Sequence, residues 1–422
     1  MAATEKKTTI PQSLIVEEHV REALKADKGG DAFLKSWKVV DFTKPGDNYI
    51  GMVTSVEVKY SMYSKEEFEV TYVVKLTAQR AIDGFPDLTP ILFSKEGKFY
   101  QEVLPALNKA LTLAGQEQLH LPRCLFVSLE EGKEQMYFED LRARDFKMFD
   151  RKRGMDQDHV ALVMAELARL HSASYLLMRK FREGETVASK YEFLARDWLT
   201  FTPGAKKVFL PVFESYTDIG VNMLEKIGGY ETAIEWLKSL KPEIENVFSA
   251  QMQSKRFNGI CHGDCWNNNI LFRYNDEGRP TDVMLLDLQL CREASLATDL
   301  NYFLYTSVTG DIRTPNIDDF MSIYHSSYKK VLDGADLPMS FTEEDLMQEF
   351  RDKNKVGLMF GLMILPAVLM EPEEIPNFSD KDIGTVMREA RENAMDKLNT
   401  NSLFKPRFLS MFDEFLETGL IS

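Results

Sequence analysis

Hydrophobic and polar positions switch between helical and strand period several times along the chain. After Pro11, the residues Leu14, Ile15, Val20 and Leu24 recur at helical spacing until Gly29-Gly30, which predicts an amphipathic helix. From Trp37 to Leu76 the pattern reads as short strands broken by the turns PGDN and YSKEE. Within it, FEVTYVVKL carries the β-branched and aromatic residues of a strand. The run FSKEGKFYQEVLPALNKALTLAG returns to helical spacing, and CLFVSLEEGKEQMYFEDL reads as two strands around a turn. Beyond Asp140 the chain is mostly helical. DQDHVALVMAELARLHSASYLLMRKF is a long helix with Asp156 or Asp158 as its N-cap, and residues 314–422 form several helices. Residues 183–254 are a Phe- and Trp-rich mixture that periodicity does not resolve. The expected fold class is α+β: a small β-rich N-lobe over residues 1–140 and a larger, mainly helical C-lobe over 141–422. Ligands commonly bind in the cleft between two such lobes.

Composition narrows the partners. A chain of 422 residues suits two lobes, and 44% hydrophobic with 28% charged residues is ordinary for a globular protein. The net charge of −15 argues against nucleic acid and against an anionic membrane surface, both of which call for a basic face. A small anion remains compatible, because a few lysines and backbone N–H groups can hold it inside an acidic protein. MAATEKKTTI is polar and no apolar segment of signal-peptide type follows it. The most apolar run, Val356 to Met370, is too short to span a membrane and contains Pro366, so a buried core helix is expected. Four cysteines point to a reducing compartment, and a cytoplasmic location is expected. Cys261 and Cys265 flank His262 closely, but no second ligand pair at zinc spacing exists.

The chemistry concentrates in CHGDCWNNNILFRYNDEGRPTDVMLLDLQL, Cys261 to Leu290. Two apolar strands joined by YNDEGRP would bring Asn269 beside Asp287. An amide and a carboxylate are hard oxygen ligands suited to Mg²⁺ held with nucleotide phosphates. Asp264 would then accept the proton of an attacking hydroxyl. Asp and Asn often do no more than decorate turns, which explains YNDEGRP but not Asp287 between apolar residues. A phosphotransferase also needs a strand lysine for the phosphates and a helical carboxylate to hold it. Lys75 in VVKL and Glu96 in the following helix fit that order, with Glu102 further along. The turn Gly46-Asp47-Asn48-Tyr49-Ile50-Gly51 could lie over phosphates. It is not a Walker A loop, since Met52 and Val53 stand where Lys and Ser/Thr belong.

On these residues the chain resembles the insect ecdysteroid kinase-like family, relatives of choline kinases and aminoglycoside phosphotransferases with a bilobal protein-kinase-like fold. The resemblance spans nearly the whole chain. It is carried by CHGDCWNNNILF and LLDLQL, with Gln289 where protein kinases have the Gly of Asp-Phe-Gly, and by GDNYIG, FSKEGKFYQEVLP and FEDL. It implies an ATP- and Mg²⁺-dependent kinase with Asp264 as catalytic base, His262 bracing its loop, and Asn269 and Asp287 as metal ligands. It further implies Lys75 on the α/β-phosphates paired with Glu96, Gly46 and Asn48 over the phosphates, and a hinge at Tyr137 to Leu141. In that hinge, Glu139 and Leu141 would meet the adenine edge. Asp299 would steady the catalytic loop, and His171 is expected to be a packed helix residue. The implied acceptor is an alcohol of an ecdysteroid, another steroid or a xenobiotic. Choline-like alcohols and a non-catalytic nucleotide- or ligand-binding module are the alternatives. The aromatic segment Tyr191 to Gly220 would serve as an acceptor wall or simply as core. Trp266 departs from the His usual in bacterial antibiotic kinases, and no Ala-Pro-Glu follows Asp287, which argues against a protein kinase.

Overall fold

The structure, a computed structural model, describes residues 11–41, 52–63, 66–77, 88–197, 199–200, 202, 204–371 and 383–422. Helix α1 (Glu17–Lys28) precedes β1 (Phe33–Asp41), β2 (Met52–Ser61) and β3 (Glu67–Leu76). Next come α2 (Leu88–Lys98), a π-helical turn at Phe99–Val103 and α3 (Leu104–Leu113), then β4 (Cys124–Ser128) and β5 (Gln135–Glu139). The five strands form one antiparallel sheet in the order β1-β2-β3-β5-β4. Strand alternation decides which face carries chemistry. Tyr72, Val74 and Leu76 pack with Val56, Val58 and Tyr137 beneath Val20, Ala23 and Leu24 of α1. Lys75 lies between Val74 and Leu76, so the two-residue period turns it to the opposite face, toward α2. A one-residue slip of β3 would bury Lys75 under α1 instead.

Helix α2 starts at Leu88, five residues before the start that periodicity suggested, and seven of its eleven residues are buried. Pro105 has no N–H to offer the preceding turn, and the backbone just before it widens into the π-helical turn.

The remaining elements are β6 (Lys147–Met148), α4 (Gln157–Met178), α5 (Val187–Lys190), α6 (Ala205–Ile227), α7 (Glu231–Leu240) and α8 (Ile244–Met252). They continue with β7 (Asn258–Cys261), β8 (Ile270–Tyr274), β9 (Pro280–Leu285), β10 (Arg292–Ser295) and α9 (Ala297–Ser307). Helices α10 (Gly310–Arg313), α11 (Ile317–Gly334), α12 (Glu343–Asp352), α13 (Asn354–Leu369), α14 (Ile383–Thr400) and α15 (Phe404–Glu417) complete the chain. Strands β6, β8 and β9 form one small antiparallel sheet, and β7 pairs with β10. This is the bilobal α+β architecture expected from the sequence.

Asp156 caps α4 by accepting the His159 N–H at 3.1 Å. Among the described residues α4 alone is long and apolar enough to cross a membrane. Most of it is buried, between α3 on one side and α11 on the other. Helix α13 is the expected core helix, buried on nearly all sides and ending just after Pro366. Every residue of α9 is buried, including the polar Thr298, Asp299, Asn301 and Thr306. Buried polar groups need partners: Thr298 donates to the Ser295 carbonyl, Asn301 to the carbonyls of Ala297 and Phe350, and Thr306 to that of Tyr302, while Asp299 is met by the loop described below.

The C-terminal helix is tied down by charge as well as packing. Arg313 is 1% exposed; its Nε donates to Glu414 at 2.9 Å, while Tyr305 donates to the same carboxylate at 2.6 Å. Removing Glu414 strands a buried guanidinium, a loss of about 3–5 kcal/mol. Glu414→Ala is therefore expected to lower the urea midpoint strongly. Glu17→Ala, in the exposed Arg21 pair, should change stability by no more than about 0.5 kcal/mol. Equal midpoints for the two variants would refute the buried-pair account.

Candidate active site

Three elements distant in sequence meet at one ammonium group. Lys75 Nζ on β3 donates to Glu96 Oε2 on α2 at 2.6 Å and to Asp287 Oδ1 at 2.8 Å. The Lys75–Glu96 pair expected from residue order is thus present, and Lys75 reaches across to the second half of the chain as well. Asp287 does not lie inside a strand. Strand β9 ends at Leu285, and Asp287 sits just beyond it at φ 64°, a left-handed conformation uncommon for any residue but glycine. Its side chain is a quarter exposed, and Lys75 supplies the compensating charge.

The loop between β7 and β8 holds the second group. Asn269 Nδ2 donates to the Asp264 carbonyl at 2.9 Å and to Asp264 Oδ2 at 2.8 Å. Tyr302 of α9 donates to Asp264 Oδ1 at 2.6 Å. The Leu286 N–H donates to the Asn269 carbonyl at 2.8 Å, so the β8–β9 hairpin does bring Asn269 beside the Asp287 segment. The loop backbone is held by Asp299, whose carboxylate accepts the N–H of His262 at 2.6 Å and of Gly263 at 2.9 Å. His171 supports Asp299 at 3.1 Å and pairs with the Tyr324 hydroxyl at 2.8 Å, both rings being buried. His262 is fully buried. Burial lowers its pKa below the usual histidine value, and its neutral Nδ1 accepts the Asp264 N–H at 3.3 Å. Gly263 has φ 82°, and a Cβ there would collide with the Leu290 carbonyl, so this position needs glycine. Arg292 Nη1 joins the two loops by donating to the Gly263 and Leu290 carbonyls, each at 3.3 Å.

The charge balance of the site fits a divalent cation. Burial and then Asp287 push the Asp264 carboxyl up to about 7, against the hydrogen bonds from Tyr302 and Asn269. Burial also raises Glu96, although Lys75 pulls it the other way. Burial alone would lower Lys75, but Asp287 and Glu96 outweigh it and hold the ammonium above its ordinary value. Lys75 is thus the shared counter-ion of Glu96 and Asp287, and Asp264 adds further negative charge beside Asp287. The donor set fits too. Asn269 spends its Nδ2 on Asp264, which leaves Oδ1 as the only amide atom able to bind a metal. With the Asp287 carboxylate it makes a hard oxygen pair of the kind Mg²⁺ prefers.

Other expected residues fall in different places. Gly46 and Asn48 lie outside the described residues. Glu102 is exposed in the π-helical turn, so Glu96 alone of the two carboxylates meets Lys75. Glu139 ends β5 and spends its carboxylate on the Arg123 N–H at 3.0 Å and on Arg144 at 3.3 Å. Leu141 is buried with Phe146 and Met284, against β9. In the aromatic segment Tyr191 to Gly220, Leu194, Leu199, Phe213 and Ile219 are buried in the main core. Tyr302 and Arg292 were not singled out from the sequence. The signal for Tyr302 was its place three residues after Asp299, on the same helix face.

With the geometry in place, comparison adds a family. The model of the ecdysteroid kinase-like family matches residues 45–336, more than two thirds of the chain. The chain belongs to the ecdysteroid kinase-like family. That membership supports a phosphotransferase acting on small molecules. No curated protein sequence matches it. Among solved structures it is similar to an ethanolamine kinase of Plasmodium vivax, at 12% identity and TM-score 0.42, covering 94% of this chain and 86% of that one. An amicoumacin kinase in complex with AMP-PNP, Ca²⁺ and Ami is similar at 11% identity and TM-score 0.43, covering 95% and 98%. A choline kinase of Streptococcus pneumoniae is similar at 14% identity and TM-score 0.38, covering 91% and 99%.

The Asp299 bracket generates a prediction with a defined sign. Burial alone would raise Asp299, but its bond to His171 and the loop N–H groups hold its carboxyl below the ordinary value. A carboxylate depressed on folding stabilises above its unfolded pKa of about 3.9, and that stability is lost as pH falls through the folded value. Asp299→Asn should therefore unfold at lower urea than the parent at pH 7, by about 3 kcal/mol, with the gap narrowing below about pH 4. A gap independent of pH would contradict a charged bracket.

Proposed function

We propose, from membership of the ecdysteroid kinase-like family as premise, that this protein is an ATP- and Mg²⁺-dependent kinase of an alcohol. The acceptor hydroxyl belongs to an ecdysteroid or a related steroid or xenobiotic. The reading places residues 1–140 as the nucleotide lobe and 141–422 as the catalytic and acceptor lobe, working in the cytoplasm. One observation carries it: Lys75, Glu96 and Asp287 join at one ammonium, while Asp264 is held through Asn269 in the loop alongside.

The roles follow from chemistry. Lys75 contacts the α/β-phosphates, with Glu96 keeping its ammonium aimed into the cleft. The reading assigns phosphate binding also to Gly46 and Asn48, and the adenine edge to the backbone at Glu139 and Leu141. Asn269 Oδ1 and the Asp287 carboxylate hold Mg²⁺, which when bound supplies neutralisation of phosphate charge. Asp264 takes the proton of the acceptor hydroxyl as its oxygen bonds to the γ-phosphorus. The bond from that phosphorus to the bridging oxygen breaks, and its electron pair leaves on ADP. His262 keeps the loop in register and Asp299 fixes its backbone. The transfer asks the protein mainly for alignment and charge.

Mass spectrometry of reactions with Mg²⁺, ATP and a panel of ecdysteroids, plant sterol and phenolic alcohols, and choline tests this directly. A phosphorylated ecdysteroid should form, and Asp264→Asn should slow its formation by about 10²–10⁴-fold. Wild-type rates in that variant would remove Asp264 from the chemistry, and product from choline alone would move the acceptor to the small cationic alcohols. In thermal unfolding, ATP with Mg²⁺ should stabilise the parent, whereas Asp287→Asn should respond equally to ATP with and without the metal.

A further inference from the structure

Helix α9 runs behind the catalytic loop with all its residues buried. Asp299 and Tyr302 are three positions apart, which puts them on one face. They hold consecutive parts of the same loop. Asp299 takes the backbone N–H of His262 and Gly263; Tyr302 takes the side chain of the next residue, Asp264, at 2.6 Å. Asn269 occupies the other carboxylate oxygen. With one donor on Oδ1 and another on Oδ2, the plane of the Asp264 carboxylate is set by two elements that come from different parts of the chain.

The Tyr302 ring is itself immobilised. It is 1% exposed and packs on Phe360 of α13 at 4.6 Å between ring centres. Phe360 is in turn wedged among Phe213 and Phe248. Burial, then the Asp264 charge, raise the Tyr302 hydroxyl well above its ordinary pKa, so it stays a donor. A buried tyrosine needs some partner for its hydroxyl, and a role in folding alone would satisfy that need. What distinguishes Tyr302 is which partner it has.

We propose that Tyr302 is a positioning residue for phosphoryl transfer: its hydroxyl fixes Oδ1 of Asp264, so that the carboxylate meets the acceptor hydroxyl in one orientation. This rests on the reading of Asp264 as the base. Tyr302 touches neither nucleotide nor acceptor in this scheme; it acts only through Asp264. Each carboxylate oxygen keeps a second lone pair, and the acceptor proton reaches one of these while the tyrosine bond persists.

The test is a double-mutant cycle of Tyr302→Phe and Asp264→Asn, read with Mg²⁺, ATP and an ecdysteroid acceptor. A hydrogen bond to a charged group, lost without loss of ring packing, predicts a fall in kcat of about ten- to a hundredfold in Tyr302→Phe. KM for ATP should stay within about twofold, since no nucleotide contact changes. In the Asp264→Asn background the second substitution should cost no further rate. Thermal unfolding reports the structural alternative: a lowered Tm with kcat unchanged would overturn the proposal. A Tyr302→Phe protein that does not fold would assign the hydroxyl to the fold and overturn it as well. A wild type without phosphotransfer would instead bring down the kinase reading itself, an outcome distinct from a fully active Tyr302→Phe.

Discussion

The double ion pair of Lys75 is the constraint on which the site depends. One ammonium holds a helix carboxylate from the first half of the chain and a loop carboxylate from the second. Two unit charges 4 Å apart attract by about 4 kcal/mol at an effective dielectric near 20, and both partners here are closer. Desolvation takes much of that back, so the bridge matters less as a source of stability than as a specification of geometry. It requires β3 to present Lys75 away from α1, α2 to lie with Glu96 inward, and the chain after β9 to turn sharply at Asp287. Each requirement is met by a local feature: strand alternation, the buried α2, and the left-handed backbone at position 287.

A second frame stands behind the first. Helix α9 uses buried polar residues to hold the loop that bears Asp264, with Asp299 on its backbone and Tyr302 on the Asp264 side chain. Gly263 permits the close approach of the Leu290 carbonyl, and Arg292 clips the two loops together at that point. The loop bearing Asp264 and the loop bearing Asp287 are therefore fixed to each other twice: through the β8–β9 hairpin, and through this contact. Rigid supports of this kind let a phosphotransfer site place its groups without rebuilding them at each turnover.

How much of this was legible depends on the range of the interaction. Lys75, Asp264, Asn269 and Asp287 could be read because their signals are local: a β-branched strand, a loop between apolar strands, a hairpin turn. Glu96 could be read from its order relative to Lys75, but the choice against Glu102 needed the helix phase, which the π-helical turn alters. Asp287 was expected within a strand, since LLDLQL looks continuous; the strand in fact stops two residues earlier. Tyr302 was not picked out, although its place three residues after Asp299 was visible, because an aromatic residue in a buried helix is ordinary core unless its hydroxyl partner is known. That partner lies 38 residues upstream. The aromatic run after Tyr191 could be wall or core by composition. Phe213 turns out to pack on Phe248 and Phe360 inside the core, a distinction set by tertiary contact alone.

The charge arrangement leads to one direct measurement. Glu96 and Asp287 share the single Lys75 ammonium, and Asp264 adds negative charge beside Asp287, so a triphosphate cannot enter comfortably without added positive charge. Calorimetric titration of the protein with ATP, with and without Mg²⁺, decides the matter. Tight binding with the metal and at least tenfold weaker binding without it is the expected result. Equal binding in both conditions, or none in either, would contradict the assignment of this cluster as a metal–nucleotide site.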